Sequence, residues 1–246
     1  MALMQLNFRS RLLRTAAEVT VFLPLEIPAG SEMTTFPKGA AYQTLWLLHG
    51  GLGDSRDFVK YSGVLRYAEE NRVALVLPNC PGKFYEEPWF GFVTRELPGL
   101  LGILLPLSPR REDNFIGGLS HGGDCALRAV LEYPGQYAEA LVMSAAGTTH
   151  FVDGRENHLL FDVPGLAGRN LASGGPLPTL IFATGTGDRG FPHYTPVIDR
   201  LEELGLPVTR HFAQDDGHSW PFWDETLRQA LSELLPLKRS LVFPET

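Results

Sequence analysis

Six short apolar runs recur along the second four-fifths of this chain, each long enough for a strand and too short for a helix of its own. They are Thr44–Leu48, Val73–Leu77, Asn114–Gly117, Ala140–Ser144, Leu180–Thr184 and Val208–Phe212. Helix-patterned stretches separate several of them. Asp57–Asn71 carries Phe58, Tyr61, Leu65 and Ala68 on one face, Cys125–Tyr133 is ended by Pro134-Gly135, and Pro196–Leu204 is closed by Gly205. A terminal amphipathic stretch, Asp224–Leu235, places Leu227, Leu231 and Leu234 on its inner side. Strands that are apolar on both faces need cover on both, and intervening helices supply it, so the pattern predicts an α/β fold with a mostly parallel central sheet and helices on both faces. The first 25 residues differ: Met4–Phe8 and Glu18–Leu23, the latter stopped by Pro24, alternate and are closely joined, which predicts an antiparallel N-terminal pair.

With 246 residues, 44% of them hydrophobic and 20% charged, there is material for one well-filled domain spanning 1–246, and a disordered or coiled-coil chain is excluded. The net charge of −7 argues against nucleic acid or an anionic membrane surface as partner. Cys80 and Cys125 cannot make a disulfide framework, which points to a reducing, cytoplasmic setting. No apolar run approaches the roughly 20 residues of a membrane span. Asn7, Arg9, Arg11 and Arg14 interrupt the N-terminal stretch, leaving no signal-peptide core. Between Gly147 and Pro178 the alternation lapses into a Gly- and Pro-rich stretch, expected to be a short lid-like or surface excursion without a helical cap.

In a parallel sheet the ligand crevice lies beyond the carboxyl ends of the strands, and reactive residues follow several of these runs. Asn114–Gly117 leads into Gly118-Leu119-Ser120-His121-Gly122 and then a helix. Glycines flanking a serine in a strand–turn–helix are what a nucleophile elbow requires, since a side chain on either would collide with neighbouring chain. A serine hydroxyl needs a base. Of seven histidines, His218 in Asp215-Asp216-Gly217-His218 follows the last strand and can reach an earlier loop on the same sheet edge. His49 sits in a glycine-rich turn that it orients, His121 contributes chiefly its backbone, and His150, His158, His193 and His211 lack a comparable setting. For the orienting carboxylate, Asp188 after Leu180–Thr184 gives the order Ser, Asp, His. Asp215 and Asp216 compete, but share the loop of His218. The oxyanion donors expected are the backbone N–H of His121 and that of Gly51 in His49-Gly50-Gly51-Leu52-Gly53, with Leu52 as the fallback.

Gly185-Thr186-Gly187-Asp188-Arg189-Gly190 also spells G-x-G-x-x-G, the dinucleotide fingerprint. It loses because too little chain follows for the remainder of such a fold, because Asp188 would face a pyrophosphate, and because Pro192 and Pro196 delay the helix that should hold it. Spacings such as C-x-x-C or H-E-x-x-H do not occur, and neither a metal nor a cofactor is expected.

With these residues in view, the chain resembles the esterase D-like, tributyrin-esterase group of α/β-hydrolases, which includes S-formylglutathione hydrolases and feruloyl and acetyl-xylan esterases. Val19–Pro24 is similar to the group's early strand ending in proline, Leu47–Asp54 to its oxyanion turn, and Glu96-Leu97-Pro98 to its helix before the nucleophile strand. Gly118–Gly123 is similar to its Gly-Leu-Ser-x-Gly-Gly, Gly185–Asp188 to its Gly-Thr-x-Asp, and Gly217–Asp224 to its Gly-His-x-Trp-x-x-Trp segment. Position 121 departs from it, being histidine where methionine is common. The resemblance implies an α/β-hydrolase fold with Ser120 as nucleophile, Asp188 as acid and His218 as base.

The function expected is hydrolysis of short-chain acyl esters, small-molecule substrates, by a serine carboxylesterase working through an acyl-enzyme. Trp89, Phe90, Phe191 and Trp220 are the aromatic residues considered for the mouth of the site. Thioester hydrolysis or acyl transfer on the same residues is the alternative, and a catalytically silent hydrolase-fold binding protein a remote one. Members of the group often self-associate, so a homo-oligomer is an expectation by analogy.

Overall fold

In the computed structural model, which describes residues 1–25, 36–145 and 161–244, the alternating N-terminal pattern forms β1 (Ala2–Arg9) and β2 (Ala16–Leu23). They pair antiparallel, Ala2 opposite Leu23 and Arg9 opposite Ala16. The apolar runs become β3 (Thr44–Leu48), β4 (Ala74–Pro78), β5 (Asn114–Leu119), β6 (Glu139–Met143), β7 (Thr179–Gly185) and β8 (Val208–Ala213). All eight join one sheet in the order β1-β2-β4-β3-β5-β6-β7-β8. β2 runs antiparallel to β4, and every pairing from β4 through to β8 is parallel. Each residue of β3, β4 and β5 is buried, as a strand covered on both faces requires.

Alternate side chains divide between two cores. Trp46, Leu48, Val76, Ile116, Val142 and Phe182 point to one face. Leu45, Leu47, Leu75, Phe115, Leu141 and Ile181 point to the other. The helices are α1 (Asp57–Tyr61), α2 (Val64–Glu70), α3 (Trp89–Gly91), α4 (Leu97–Leu104), α5 (His121–Glu132), α6 (Val163–Ser173), α7 (Phe191–Glu203) and α8 (Trp220–Gln229). α4 to α7 cover the first face, with Leu101, Leu127, Leu166 and Ile198 buried among its residues. α1, α2 and α8 cover the second through Phe58, Tyr67 and Leu227. No helix among the described residues is long and apolar enough to cross a membrane.

Three features depart from the pattern read in the sequence. The single helix expected over 57–71 is two, because Ser62 is extended: its hydroxyl donates to the Phe58 carbonyl at 2.5 Å, and the Gly63 N–H donates to the Asp224 carboxylate at 2.7 Å. α7 starts at Phe191 rather than Pro196, tolerating that proline at the loss of one backbone hydrogen bond. The excursion at 147–178 is not free of helix. Residues 146–160 lie outside the described residues, but α6 follows, with the Asp162 carboxylate accepting the Gly165 N–H at 2.9 Å and Gly174 ending it at φ 65°. Pro164, Gly165 and Gly168 obscure its apolar stripe of Val163, Leu166 and Ala167.

At the sheet's opposite end, Glu139 opens β6 half-buried, and its Oε2 has no hydrogen-bond partner. Burial pushes its carboxyl up to about 7, against the Thr179 hydroxyl and the Arg111 charge. The unfolded chain releases this proton near pH 4.3, so the folded state binds more protons between the two values and loses stability as pH rises through them. Glu139→Gln is expected to melt a few degrees (about 2–4 °C) above wild type at pH 8, with the gap shrinking at pH 5. Thermal denaturation at the two pH values checks this.

Candidate active site

β5 ends at Leu119 and α5 begins at His121, so Ser120 alone reverses the chain, at φ 53° and ψ −120°. That conformation costs about 1–3 kcal/mol for a non-glycine residue. Its N–H donates to the Met143 carbonyl at 2.8 Å and its carbonyl accepts the Asp124 N–H at 3.0 Å. The flanking glycines are dictated by backbone: a Cβ on Gly118 would lie 2.4 Å from the Gly122 carbonyl carbon, and one on Gly122 would lie 2.1 Å from the Leu48 oxygen. The Asp124 bond is the first of the helix, so the amides of His121, Gly122 and Gly123 precede the hydrogen-bond ladder and present the positive pole of α5 beside Ser120.

The turn after β3 lies against this elbow. A Cβ on Gly50 would sit 3.5 Å from the Ser120 Cβ, and one on Gly51 would sit 2.9 Å from His121 Nδ1. His49 holds the turn. Its Nε2 accepts the Cys80 N–H at 3.0 Å, which leaves the proton on Nδ1 to be donated to the Gly50 carbonyl at 2.7 Å. Both nitrogens are thus committed, and burial lowers its pKa, with the Gly50 bond and the Asp57 charge opposing. His121 is also shifted down, by burial first and then by Lys83, with His218 and His49 adding and Glu86 opposing.

Asp188 follows β7 and His218 follows β8. His218 Nδ1–H donates to Asp188 Oδ2 at 2.8 Å, and Gly190 N–H donates to Oδ1 at 2.9 Å. The Asp188 side chain is only 5% exposed. Burial alone would raise its pKa. The hydrogen bond from His218 and then that from Gly190 outweigh burial and hold the carboxyl below the usual carboxylate range. Asp215 and Asp216, the competing carboxylates, are exposed. The glycines of the G-x-G-x-x-G run have a packing cause. A Cβ on Gly185 would fall 2.0 Å from the Asp216 oxygen, and Gly187 N–H donates to that oxygen at 2.8 Å, so they let the His218 loop settle onto the Asp188 loop.

The aromatic residues separate. Trp220 packs on Phe58, Tyr61 and Trp223, with ring centroids 5.6, 5.2 and 5.3 Å away, and Trp223 meets the His218 ring edge to face at 4.9 Å. Trp89 packs on Phe92, and Phe191 on Phe212. Phe90 does not line a mouth: it is 1% exposed, between Tyr133 and the Arg128 guanidinium. Tyr61, expected on the buried helix face, is 55% exposed, because the break at Ser62 ends α1 beneath it. His211 stacks on Phe222, and His150 and His158 lie outside the described residues. Ser144 and Trp223 adjoin Asp188 and His218, and reading the sequence did not assign either a role there. For Ser144, the position directly after β6 on the same sheet edge was the available signal.

Among the described residues, no group of three or more His, Cys, Asp or Glu could hold a metal ion. A family model described as "Putative esterase" matches residues 15–159. An acetyl esterase of Caldicellulosiruptor saccharolyticus is 26% identical, over 94% of this chain and 97% of its own. Two structures from Staphylococcus aureus share the fold, each with a TM-score of 0.82 over 95% of this chain and 98% of theirs: the substrate-bound fluorophosphonate-binding serine hydrolase FphF, 24% identical, and the S-formylglutathione hydrolase FrmB as apoenzyme, 23% identical. With the family model matching more than half of the chain, the chain belongs to this esterase family, whose members act on ester bonds.

Proposed function

We propose that this protein is a carboxylesterase for short acyl esters, with Ser120 as nucleophile, His218 as general base and Asp188 as the carboxylate that orients it. The observation that carries the assignment is the 2.8 Å bond from His218 to a buried Asp188, made on the sheet edge where Ser120 is held in a strained turn. The bond places the proton on Nδ1 and leaves Nε2 as the basic nitrogen.

His218 takes the hydroxyl proton as Ser120 adds to the ester carbonyl. The Gly51 and His121 amides receive the oxyanion, and the proton passes to the departing alcohol. Water, deprotonated by the same imidazole, then releases the acid and restores Ser120. Support for the oxyanion site comes from the approach of the Gly50-Gly51 turn to the elbow and from the amides that open α5. Leu52, fully exposed at φ 63°, and the exposed edge of Tyr61 beside Trp220 supply apolar surface for the substrate. The acetyl esterase relative supports a short acyl group.

A fluorophosphonate probe is expected to label the wild-type protein and not Ser120→Ala, with circular dichroism unchanged and p-nitrophenyl acetate turnover reduced by more than about 10⁴-fold. Labelling of the alanine variant at an unchanged rate would sink the assignment. Asp188→Asn, which keeps the shape and removes the charge, should lower kcat by about 10³–10⁴-fold, measured on the same ester. In a series of p-nitrophenyl esters, kcat/KM should be highest at two to four carbons, on the order of tenfold or more above eight carbons. A formyl thioester or a ferulate preferred over every member of the series would replace the short-acyl reading.

A further inference from the structure

The hairpin that joins β1 to β2 carries charge of one sign. Residues 1–17 contain no acidic side chain, and Arg9, Arg11 and Arg14 fall within six consecutive positions, in a chain whose net charge is −7. All three are exposed and line, with Ser10, Thr15 and Ala16, a cleft of about 650 Å³. None of the three guanidinium groups makes a salt bridge or hydrogen bond among the described residues. Other surface arginines do: Arg56, Arg200 and Arg228 hold carboxylates at 3.0, 2.9 and 2.6 Å. The turn itself is firmly built. Glu96 accepts the Ser10 hydroxyl and the Arg11 N–H, each at 2.6 Å, and the Leu12 N–H at 3.1 Å. The Ser10 hydroxyl accepts the Leu13 N–H at 2.9 Å, and the Ser10 N–H donates to the Thr15 carbonyl at 3.0 Å. Arg14 is held at φ 55°, a conformation where glycine or asparagine is more usual. One carboxylate, spent on bracing the backbone, stands against three guanidinium groups, which leaves the cleft with an excess of positive charge.

We propose that this cleft binds a small soluble anion carrying two or more phosphate groups, held by Arg9, Arg11 and Arg14. Like charges crowded on one turn repel, and the protein supplies nothing to relieve them, so a polyanion gains from all three at once. The fork of a guanidinium matches the oxygens of a phosphate in pairs. A carboxylate has two oxygens and is filled by one fork, whereas a phosphate has three and can bridge neighbouring arginines. The cleft is as large as ordinary small-ligand sites and far larger than one phosphate fills. Its place is distinct from the elbow. Val19 of β2 lies opposite Pro78, the last residue of β4, so the tip at Arg9 and Ala16 projects past the sheet edge that carries Ser120. Three to four strand spacings, roughly 15–20 Å, separate the two. The proposal therefore stands independently of the assignment of Ser120.

The test is isothermal titration calorimetry of the full chain with inorganic tripolyphosphate at about 0.15 M salt, where distant charges are screened. Wild type should bind one equivalent saturably. Arg14→Gln should weaken binding about tenfold, the effect of one hydrogen bond to a charged group, and Arg9→Gln/Arg11→Gln/Arg14→Gln by more than about 100-fold. The control Arg66→Gln/Arg200→Gln/Arg228→Gln removes the same charge from other surfaces and should stay within about twofold of wild type. Because the three cleft side chains hold no partner, their triple variant should melt no lower than wild type without ligand, so that lost binding is not lost folding. Saturating tripolyphosphate should raise the melting temperature of wild type and leave that of the cleft variant unchanged. The absence of saturable binding to wild type, or equal weakening in the two triple variants, would overturn the site. Tighter binding of citrate than of tripolyphosphate would overturn its phosphate chemistry. Retention on phosphatidylglycerol vesicles without binding of tripolyphosphate would replace the soluble ligand by a membrane surface.

Discussion

Backbone-to-backbone contact at the end of β5 is the constraint on which the rest of the site depends. The Gly122 Cα lies so near the Leu48 carbonyl that a methyl group would overlap it, and Gly118 is equally close to Gly122. This packing draws the β3 turn, the elbow and the first turn of α5 into one block. It also over-determines Ser120, whose φ of 53° would otherwise relax. The amides that would face an oxyanion come from the same block, and so does the positive pole of α5. One steric requirement therefore sets the direction of the hydroxyl and the character of the space in front of it.

The histidines show how one residue type is sorted by its surroundings. His49 is buried with both nitrogens bonded, so no lone pair is free to take a proton, and its imidazole works as a strut between the Cys80 amide and the Gly50 carbonyl. His121 is turned against Gly51 and lowered by burial, leaving its backbone as the useful part. His218 sits against a carboxylate kept ionised by several donors, which fixes its tautomer. Hydrogen-bond geometry thus separates a ring with both nitrogens committed from one whose Nδ1 alone is bonded to a carboxylate.

Much of this was legible beforehand for definite reasons. Both-face burial leaves an unmistakable apolar run, and all eight strands fall within two residues of the expected limits. The turn at Ser120 and the contact between the Asp188 and His218 loops left a mark in the sequence because glycine is obligatory where chain meets chain at Gly118, Gly122 and Gly185. What escaped was whatever depends on side chains remote in sequence. The break between α1 and α2 is set partly by Asp224, 161 positions from Gly63. The bond from Trp223 to Ser144 spans 79 positions. α6 was hidden because its proline and glycines read as loop until Asp162 caps it. The apolar character of Phe90 did not distinguish a rim from a core, and its burial between Tyr133 and the Arg128 guanidinium decides the matter.

The seating of the loop after β8 on the glycines after β7 has a mechanical consequence. Thr186 N–H bonds the Ala213 carbonyl, Gly187 N–H bonds Asp216, and the Thr186 hydroxyl accepts the Asp215 N–H. The carboxylate and the imidazole therefore ride on a single stiff platform, whereas the serine belongs to a different one, built around β3 and β5. The spacing between the serine and the imidazole is therefore set through β6, which stands between the two: its Met143 carbonyl takes the Ser120 N–H, and the N–H of Ser144, just beyond it, bonds the Ala183 carbonyl of β7.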